Sequence, residues 1–380
     1  MREPCVNWTT PVHAKQLLTY LRLLKLSVGL LINFGAPTLK DGLQRVVNRL
    51  TPSASPREPA TRRTALDSNL PARRLTPMQR RNFVATTGSC AAHLAMAALL
   101  PPTMTRRWIR SQGRVVAREP FGTLEHVADG IWALISTPLE GDRTTLSNGG
   151  LIAGTDGVLA IEGFFTRDGA AWLAGRSVEL TGRRPTHVAL THYHADHVNG
   201  VLGYMADDRR PTVQATADTR DRASLSDIAL LAPDADTTLD LGGRRVTLSP
   251  RAGHTASDVT LTVDDPRVVF CGDLVWNGMF PNYVDTTPSL LGRTVRALRA
   301  PETTFVPGHG SLATQADVDR YLAMLDAVED AARRAHAAGT EADTAASAFV
   351  MPDAVGEWIL FGRTFIPRAF SAWYRELDVS

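Results

Sequence analysis

Hydrophobic and polar positions follow different patterns before and after about residue 120. Leucines between residues 17 and 26 recur at helical spacing, and the apolar run at 28–34 predicts a short buried strand. Gly35-Ala-Pro ends that strand. This helix and strand form a fragment of an α/β unit that is too short to bury a core alone.

The second part of the chain alternates predicted strands and helices from His126 onward. Thr155-Asp-Gly157 is typical of a tight hairpin turn between two strands. The predicted strands are at 130–136, 150–161 (two strands around that turn), 186–191, 211–217, 244–249, 258–263 and 267–271. The predicted helices are at 168–181 and 315–338, and the aromatic tail 356–377 is expected to pack as a terminal helical element. The 380-residue length fits two domains or one large α/β domain.

Two segments between these parts have the composition of connecting or targeting sequence. Residues 51–77 are rich in Pro, Ser, Thr and Arg, which predicts a linker. In residues 78–105, Arg80-Arg81 precedes a modest apolar run, the layout of an export signal. The run contains Thr86, Thr87, Ser89 and His93, so we expect no stable membrane span.

Charge separates the same regions and excludes one class of partner. The net charge of +2 averages a basic start and an acidic remainder, because residues 121–380 carry 22 arginines against 34 acids, a net of −12. All three lysines lie within the first 40 residues. The acidic charge would repel a polyanion, so a nucleic-acid substrate is not expected and a small-molecule substrate is. No feature of the sequence fixes an oligomeric state.

The strongest chemical signal is Thr191-His-Tyr-His-Ala-Asp-His197. His192 and His194 are two residues apart at the expected end of a strand, so their side chains should point the same way. Three imidazoles and one carboxylate within six residues would be costly to bury together without a cation. This donor set suits zinc, iron or manganese.

Three later residues are further candidate metal ligands, and each lies next to a glycine at a predicted strand end. They are His254 in Ala252-Gly-His-Thr255, Asp273 after Val268-Val-Phe-Cys-Gly272, and His309 in Val306-Pro-Gly-His-Gly310. Glycine lets the backbone approach a site closely. Cys271, two residues before Asp273, is interpreted as a small buried hydrophobe rather than a ligand.

This ordered set, H-x-H-x-D-H, then G-H, G-D and G-H-G, resembles the metallo-β-lactamase superfamily over roughly residues 124–340. The resemblance implies an αββα sandwich over a catalytic domain at 120–380, preceded by an N-terminal extension outside the core. It implies two divalent metal ions, with zinc the leading candidate. The first would be held by His192, His194 and His254, the second by Asp196, His197 and His309, and both by Asp273. Glu162 stands where the family usually has a supporting Asp, and its longer side chain leaves that support open.

The implied activity is hydrolysis, in which a metal-bound hydroxide attacks an ester, thioester, lactone or lactam carbonyl and Asp196 orients the nucleophile. The aromatic segment after Asp273 offers Trp276, Phe280 and Tyr283 as walls of a substrate pocket, with packing against the terminal helix as an equal alternative. This segment and the export signal resemble, more loosely, the SoxH-like and quinoprotein-relay-associated branch of the superfamily.

Two further resemblances concern the N-terminal region. His13-Ala-Lys-Gln-Leu-Leu-Thr-Tyr20, Gly29-Leu-Leu-Ile-Asn-Phe34 and Leu39-Lys-Asp-Gly42 resemble the C-terminal end of the GxxExxY family, which is similar to PD-(D/E)xK nucleases. We interpret residues 1–50 as a fusion remnant or the result of a misplaced start codon, without nuclease activity. Arg80-Arg-Asn-Phe-Val84 resembles a twin-arginine signal. It predicts a periplasmic protein if translation starts at Met78, and a cytoplasmic one otherwise.

Two alternatives to the hydrolase remain open at this point. One is sulfur chemistry at a mononuclear iron, as in persulfide dioxygenases, which resemble this fold but use fewer ligands. The other is a non-catalytic metal-binding module that keeps the fold.

Overall fold

The structure is a computed structural model, and it describes residues 28–32, 43–47, 113–205 and 210–379. The chain divides into two units, Met1–Phe83 and Val84–Ser380. The predicted helix before residue 28, the linker at 51–77 and the export signal at 78–105 lie outside the described residues. They stay predictions, as does the periplasmic location.

The described part of the first unit is an antiparallel hairpin. Strand β1 (Val28–Ile32) pairs with β2 (Leu43–Val47), and Leu30 lies opposite Arg45. The strand predicted at 28–34 is therefore confirmed over most of its length.

The second unit contains two sheets. The eight-stranded sheet has the order β10-β9-β8-β7-β6-β5-β4-β3, and the five-stranded sheet has the order β11-β12-β13-β14-β15. The first consists of β3 (Arg114–Glu119), β4 (Gly122–Ala128), β5 (Ile131–Ser136), β6 (Gly149–Ala153), β7 (Val158–Ile161), β8 (His187–Ala189), β9 (Thr212–Ala215) and β10 (Ile228–Leu230). The second consists of β11 (Thr237–Asp240), β12 (Arg245–Arg251), β13 (Asp258–Asp264), β14 (Arg267–Asn277) and β15 (Thr304–Gly310). Each sheet is antiparallel except where β7, β8, β9 and β10 run parallel, and where β14 and β15 do.

Seven helices cover the sheets and connect the strands. They are α1 (Arg167–Thr181), α2 (Ala195–Val198), α3 (Ala217–Arg222), α4 (Pro288–Leu298), α5 (Gln315–Ala337), α6 (Ala342–Ala348) and α7 (Phe365–Leu377), all within the described ranges. Short 3-10 turns occur at Pro138–Glu140, Val201–Met205 and Asp353–Val355. Helix α5 begins with a capping box, in which Thr314 and Asp317 exchange side-chain to backbone hydrogen bonds.

Side chains alternate between the two faces of each strand, so successive residues pack into different layers of the fold. In β5, Ile131 and Ala133 belong to the hydrophobic cluster between the two sheets, whereas Trp132 and Leu134 belong to the cluster that includes residues of α1. A period of two residues is what a strand with both faces covered requires. The third cluster joins β14 to α4, α5, α6 and α7 on the outer face of the second sheet. The resulting order of helix, sheet, sheet and helix confirms the expected αββα sandwich.

The C-terminal tail differs from the expectation of a helical element over 356–377. Only Phe365–Leu377 is helical, and the preceding residues run alongside the loop after β14, where Ile359 forms a bridge with Met279. Pro367 lies in the first turn of α7, where a helix tolerates the missing N–H group. An extension of the helix toward residue 356 would place that proline in the helix interior.

Substitution of Phe270 tests the hydrophobic core between the two sheets. Its side chain is 2% exposed, and a Cβ atom added at Gly150 would come within 2.7 Å of the ring. We expect Phe270→Ala to lower the free energy of unfolding by about 3–5 kcal/mol, because it leaves a cavity between rigid sheets. Phe361→Ala, at a ring that is 39% exposed, should cost less than about 1 kcal/mol. Equal losses in denaturant unfolding of the two variants would contradict this assignment of the core.

Candidate metal centre

The seven side chains identified in the sequence meet at one edge of the sandwich. Strand β8 ends at Ala189, and the chain continues through a loop into the single-turn helix α2. His192 and His194 therefore lie in the loop after β8, which ends two residues before the predicted strand end at residue 191. His254 follows β12, whereas Asp273 and His309 lie within β14 and β15.

Glycines next to the site make close approach of two strands possible. Strand β14 shifts its register with β15 on both sides of Gly272, which has φ +51°. A Cβ atom on Gly308 would collide with Oδ1 of Asp273. Glycine is therefore required at residue 308 if the Asp273 carboxylate is to lie against the neighbouring strand.

The first group of donors consists of His192, His194, His254 and Asp273. Nδ1 of His194 lies 3.1 Å from Nε2 of His192 and 3.1 Å from Nε2 of His254. Oδ2 of Asp273 lies 3.3 Å from Nε2 of His254 and 3.9 Å from Nε2 of His192. Four ligands at about 2.1 Å from one ion are roughly 3.4 Å apart in a tetrahedral site, so these spacings fit a single cation.

The second group consists of Asp196, His197 and His309. Oδ2 of Asp196 lies 3.7 Å from Nε2 of His197 and 3.4 Å from Nε2 of His309. Both nitrogens also lie near the other oxygen of Asp273, with Oδ1 at 3.2 Å and 3.3 Å respectively. The two oxygens of Asp273 thus face the two groups separately, as a carboxylate shared between two ions would.

Hydrogen bonds outside the site fix the tautomers of three imidazoles. The Thr191 hydroxyl donates its proton to Oε1 of Glu162 at 2.5 Å, so Nδ1 of His192, 3.0 Å away, must donate to the Thr191 oxygen. Nδ1 of His197 lies 2.9 Å from the same Glu162 oxygen, which can only accept. Nε2 of His194 lies 2.9 Å from Oδ2 of Asp285. Each neutral ring therefore has its unprotonated nitrogen turned into the site.

The histidines of the buried site fall into two groups, according to whether their pKa values are lowered or raised. Burial lowers the pKa of His254 to about 3 and that of His192 well below its usual value. Burial also opposes the charged form of His309 and His197. Nearby carboxylates, of which Asp273 has the largest effect, outweigh this effect of burial. They raise the pKa of His309 to about 9 and that of His197 well above its usual value. The carboxylates thus attract positive charge into the second group.

Three buried polar atoms of the site have no hydrogen-bond partner, and this suits the binding of metal ions. Nε2 of His197, Nε2 of His309 and Oδ1 of Asp273 are buried and make no hydrogen bond. Such atoms are costly to leave unsatisfied, and together with two converging donor groups they match the needs of divalent cations.

Glu162 supports the histidine loop, a role that its longer side chain had left open. Besides Nδ1 of His197 and the Thr191 hydroxyl, its carboxylate accepts the Thr191 backbone N–H at 3.3 Å. Its own carbonyl accepts the Tyr204 hydroxyl at 2.9 Å. Glu162 has φ +74°, a strained conformation for a non-glycine residue, and these contacts hold it there.

Of the two alternatives for the aromatic segment, the structure supports packing against the terminal helix rather than pocket walls. Trp276, Phe280 and Tyr283 are 3%, 1% and 2% exposed and belong to the core cluster with α7. Trp276 still touches the site from behind, because its ring stacks on His309 with centroids 3.9 Å apart. Cys271 is fully buried and absent from both donor groups, in line with its interpretation as a hydrophobe.

Sequence reasoning missed two residues that hold the site together. Asp285, in the loop between β14 and α4, contacts His194. Asn148 ties the first sheet to the end of β15, since its side chain accepts from the backbone of Ser136 and donates to the carbonyls of Pro307 and Gly310. Neither stands in a recognisable motif. Apart from Ser136, 12 residues from Asn148, the partners named here lie 91 to 162 residues away.

Comparison with known proteins agrees with this geometry. The family model described as "Metallo-beta-lactamase superfamily" matches residues 143–313. A hydroxyacylglutathione hydrolase from Acidiphilium cryptum is 34% identical over 179 residues, which are 46% of this chain and 70% of that protein. The chain belongs to the metallo-β-lactamase superfamily.

Two further matches cover a smaller share of the other protein. A hydroxyacylglutathione hydrolase from Parasynechococcus marenigrum is 31% identical over 142 residues, 36% of this chain and 54% of that protein. The chain thus spans about half of the length of that relative. The solved structure of a stereoselective inverting sec-alkylsulfatase from Pseudomonas sp. matches with a TM-score of 0.54 at 14% identity, covering 67% of this chain and 50% of that one. This last likeness concerns the fold alone.

Two findings concern the remaining expectations. The model of the PD-(D/E)XK nuclease superfamily matches residues 4–46, in line with the nuclease resemblance of the N-terminal region. The narrower likenesses to the GxxExxY family and the SoxH-like branch stay predictions. Among the described residues, no helix is long and apolar enough to cross a membrane.

Glu162 provides a test of the site independent of any substrate. We expect Glu162→Gln to weaken binding of one divalent ion by about 10–100-fold, because the amide no longer enforces the His197 tautomer. Competition with a chromophoric chelator measures this affinity, and Glu140→Gln, in an exposed 3-10 turn, is the matched control. Unchanged affinity in the Glu162 variant would show that Glu162 does not support the site.

Proposed function

We propose that this protein is a binuclear metal-dependent hydrolase of small acyl compounds, with thioesters as the leading substrate class. The observation that carries the proposal is the shared Asp273 carboxylate, whose two oxygens face two separate donor groups. Esters, lactones and lactams are the other carbonyl substrates that such a site could accept.

The ligand roles follow from which nitrogens face the site. His192, His194 and His254 would hold one ion, and His197, His309 and Asp196 the other, with Asp273 shared. Zinc fits the donors best, since imidazole and carboxylate are among its usual ligands, while iron and manganese also accept them. The ions would supply Lewis acidity and make hydroxide available near neutral pH.

Asp196 is the residue we assign to orientation of the nucleophile. Its side chain is 26% exposed, compared with 3% for Asp273, so it is the ligand carboxylate that an incoming water molecule can reach. Burial raises the pKa of Asp196, but His197 and His309 outweigh this and lower it to about 2. Asp196 is therefore ionised at neutral pH and can accept a hydrogen bond from the attacking water.

The preference for thioesters rests on the relatives. Two relatives at 31–34% identity are named hydroxyacylglutathione hydrolase, a name that denotes cleavage of a thioester. The acidic charge of residues 121–380 is compatible with a small-molecule substrate and unfavourable for a nucleic acid.

Activity is tested with the metal-loaded full chain on a panel of chromogenic thioesters, lactones and lactams. We expect thioester hydrolysis, and a loss of about 100-fold or more in His194→Ala because one ion loses an inward nitrogen. His336→Ala, on the exposed side of α5, should retain full activity. Inactivity of the fully loaded wild-type protein on the whole panel would instead favour a non-catalytic metal-binding module.

Metal content tests the binuclear part of the proposal separately. Elemental analysis of purified protein is expected to give two divalent ions per chain, and dialysis against a strong chelator should remove both the metal and the activity, with recovery on adding zinc. One iron per chain, retained through purification, would contradict the binuclear hydrolase and favour the sulfur oxygenase alternative.

A further inference from the structure

His194 differs from the other loop histidines in what holds it. His192 and His197 are fully buried and are fixed by the buried pair Thr191 and Glu162. The His194 side chain is 17% exposed, and its outer nitrogen contacts Asp285, whose side chain is 38% exposed. The most accessible imidazole of the site is thus held by a residue near the surface.

Asp285 also interacts with the Tyr193 hydroxyl. Burial first, and then the Asp285 carboxylate, raise the pKa of that hydroxyl. Tyr193 and His194 are neighbours in the chain, so one carboxylate faces two consecutive side chains of the histidine loop. Asp285 lies in the loop after β14, 91 residues away from His194.

Tyr193 is fixed in turn from the side of α3. The Arg222 guanidinium lies 4.6 Å from the centroid of the Tyr193 ring, a cation–π contact. Arg222 pairs with Asp218 at 2.8 Å, and the other oxygen of Asp218 accepts the Ser257 hydroxyl at 3.0 Å. The contacts run in one connected series from α3 through Tyr193 to Asp285 and His194.

The contact with Asp285 decides which nitrogen of the His194 ring carries the proton. A carboxylate oxygen accepts and does not donate, so the proton of a neutral His194 ring must sit on Nε2. Nδ1 then keeps its lone pair, and Nδ1 is the atom 3.1 Å from both His192 and His254 nitrogens. Without Asp285, the unprotonated Nε2 of His192, 3.1 Å away, would instead favour the proton on Nδ1 of His194.

We propose that Asp285, held by Tyr193, is a positioning residue that fixes the tautomer and orientation of His194 for binding the first metal ion. This inference rests on the proposed metal centre and extends it to a loop and a helix outside the seven ligands. It assigns a role to the tyrosine between the two histidines of the motif.

The test measures zinc affinity of the full chain by competition with a chromophoric chelator. Asp285→Ala should weaken binding of one of the two ions by about 10–100-fold, and Asp285→Asn, which keeps an acceptor oxygen, should recover part of that loss. Tyr193→Phe should cost less, about 5-fold, because Tyr193 acts on His194 only through Asp285. Asp234→Asn, at an exposed aspartate before β11, is the control and should bind like wild type.

A second readout separates positioning from a general loss of structure. In ¹⁵N-histidine spectra of the folded full chain after removal of metal, wild type and Asp234→Asn should show His194 with its proton on Nε2, and Asp285→Ala should lose that signature. Wild-type affinity and an unchanged His194 signal in Asp285→Ala would overturn the inference and leave the proposed function standing. Failure of the wild-type protein to bind zinc at all would overturn both.

Discussion

The structure depends on one buried carboxylate placed between two clusters of imidazoles. Asp273 is 4% exposed, and burial alone would favour its neutral form. The histidines around it, His309 first, outweigh that effect and lower its pKa well below the usual value. An ionised carboxylate among imidazoles whose lone pairs converge is stable only if positive charge is present, as protons or as metal ions. The αββα sandwich supplies the rigid frame that keeps these groups together.

The frame positions the candidate ligands on loops and strands of both sheets that meet at one edge. The loop after β8 brings the histidine motif from the first sheet, and β12, β14 and β15 bring His254, Asp273 and His309 from the second. Asn148 links the two sheets beside the site through three hydrogen bonds to backbone groups. Support for the ligands comes from buried contacts at Glu162 and Thr191, and from the more exposed Asp285. These differences in burial give the site a rigid interior and a more accessible rim.

The sequence predicted the features that depend on a local pattern of residues. It did not predict contacts between residues that are far apart in the chain. The period-two strands, the α5 helix and the seven candidate ligands were all visible, because spacing and residue type are local properties. The sequence left Trp276, Phe280 and Tyr283 open between pocket walls and packing, because an aromatic segment has the same composition whether it lines a cavity or packs under a helix. Asp285 and Asn148 were missed because their partners are remote in sequence, and a lone Asp or Asn has no pattern of its own. The start of α7 at Phe365 depended on the bridge between Ile359 and Met279, which is likewise a long-range contact.

Anomalous diffraction at the zinc edge from crystals of the zinc-loaded protein tests the central claim most directly. The account predicts two peaks at one edge of the sandwich. One should lie within about 2.0–2.2 Å of nitrogens of His192, His194 and His254, the other at the same distance from His197 and His309, with Asp273 between them. A single peak, or zinc bound away from Asp273, would contradict the claim that this carboxylate joins two metal sites.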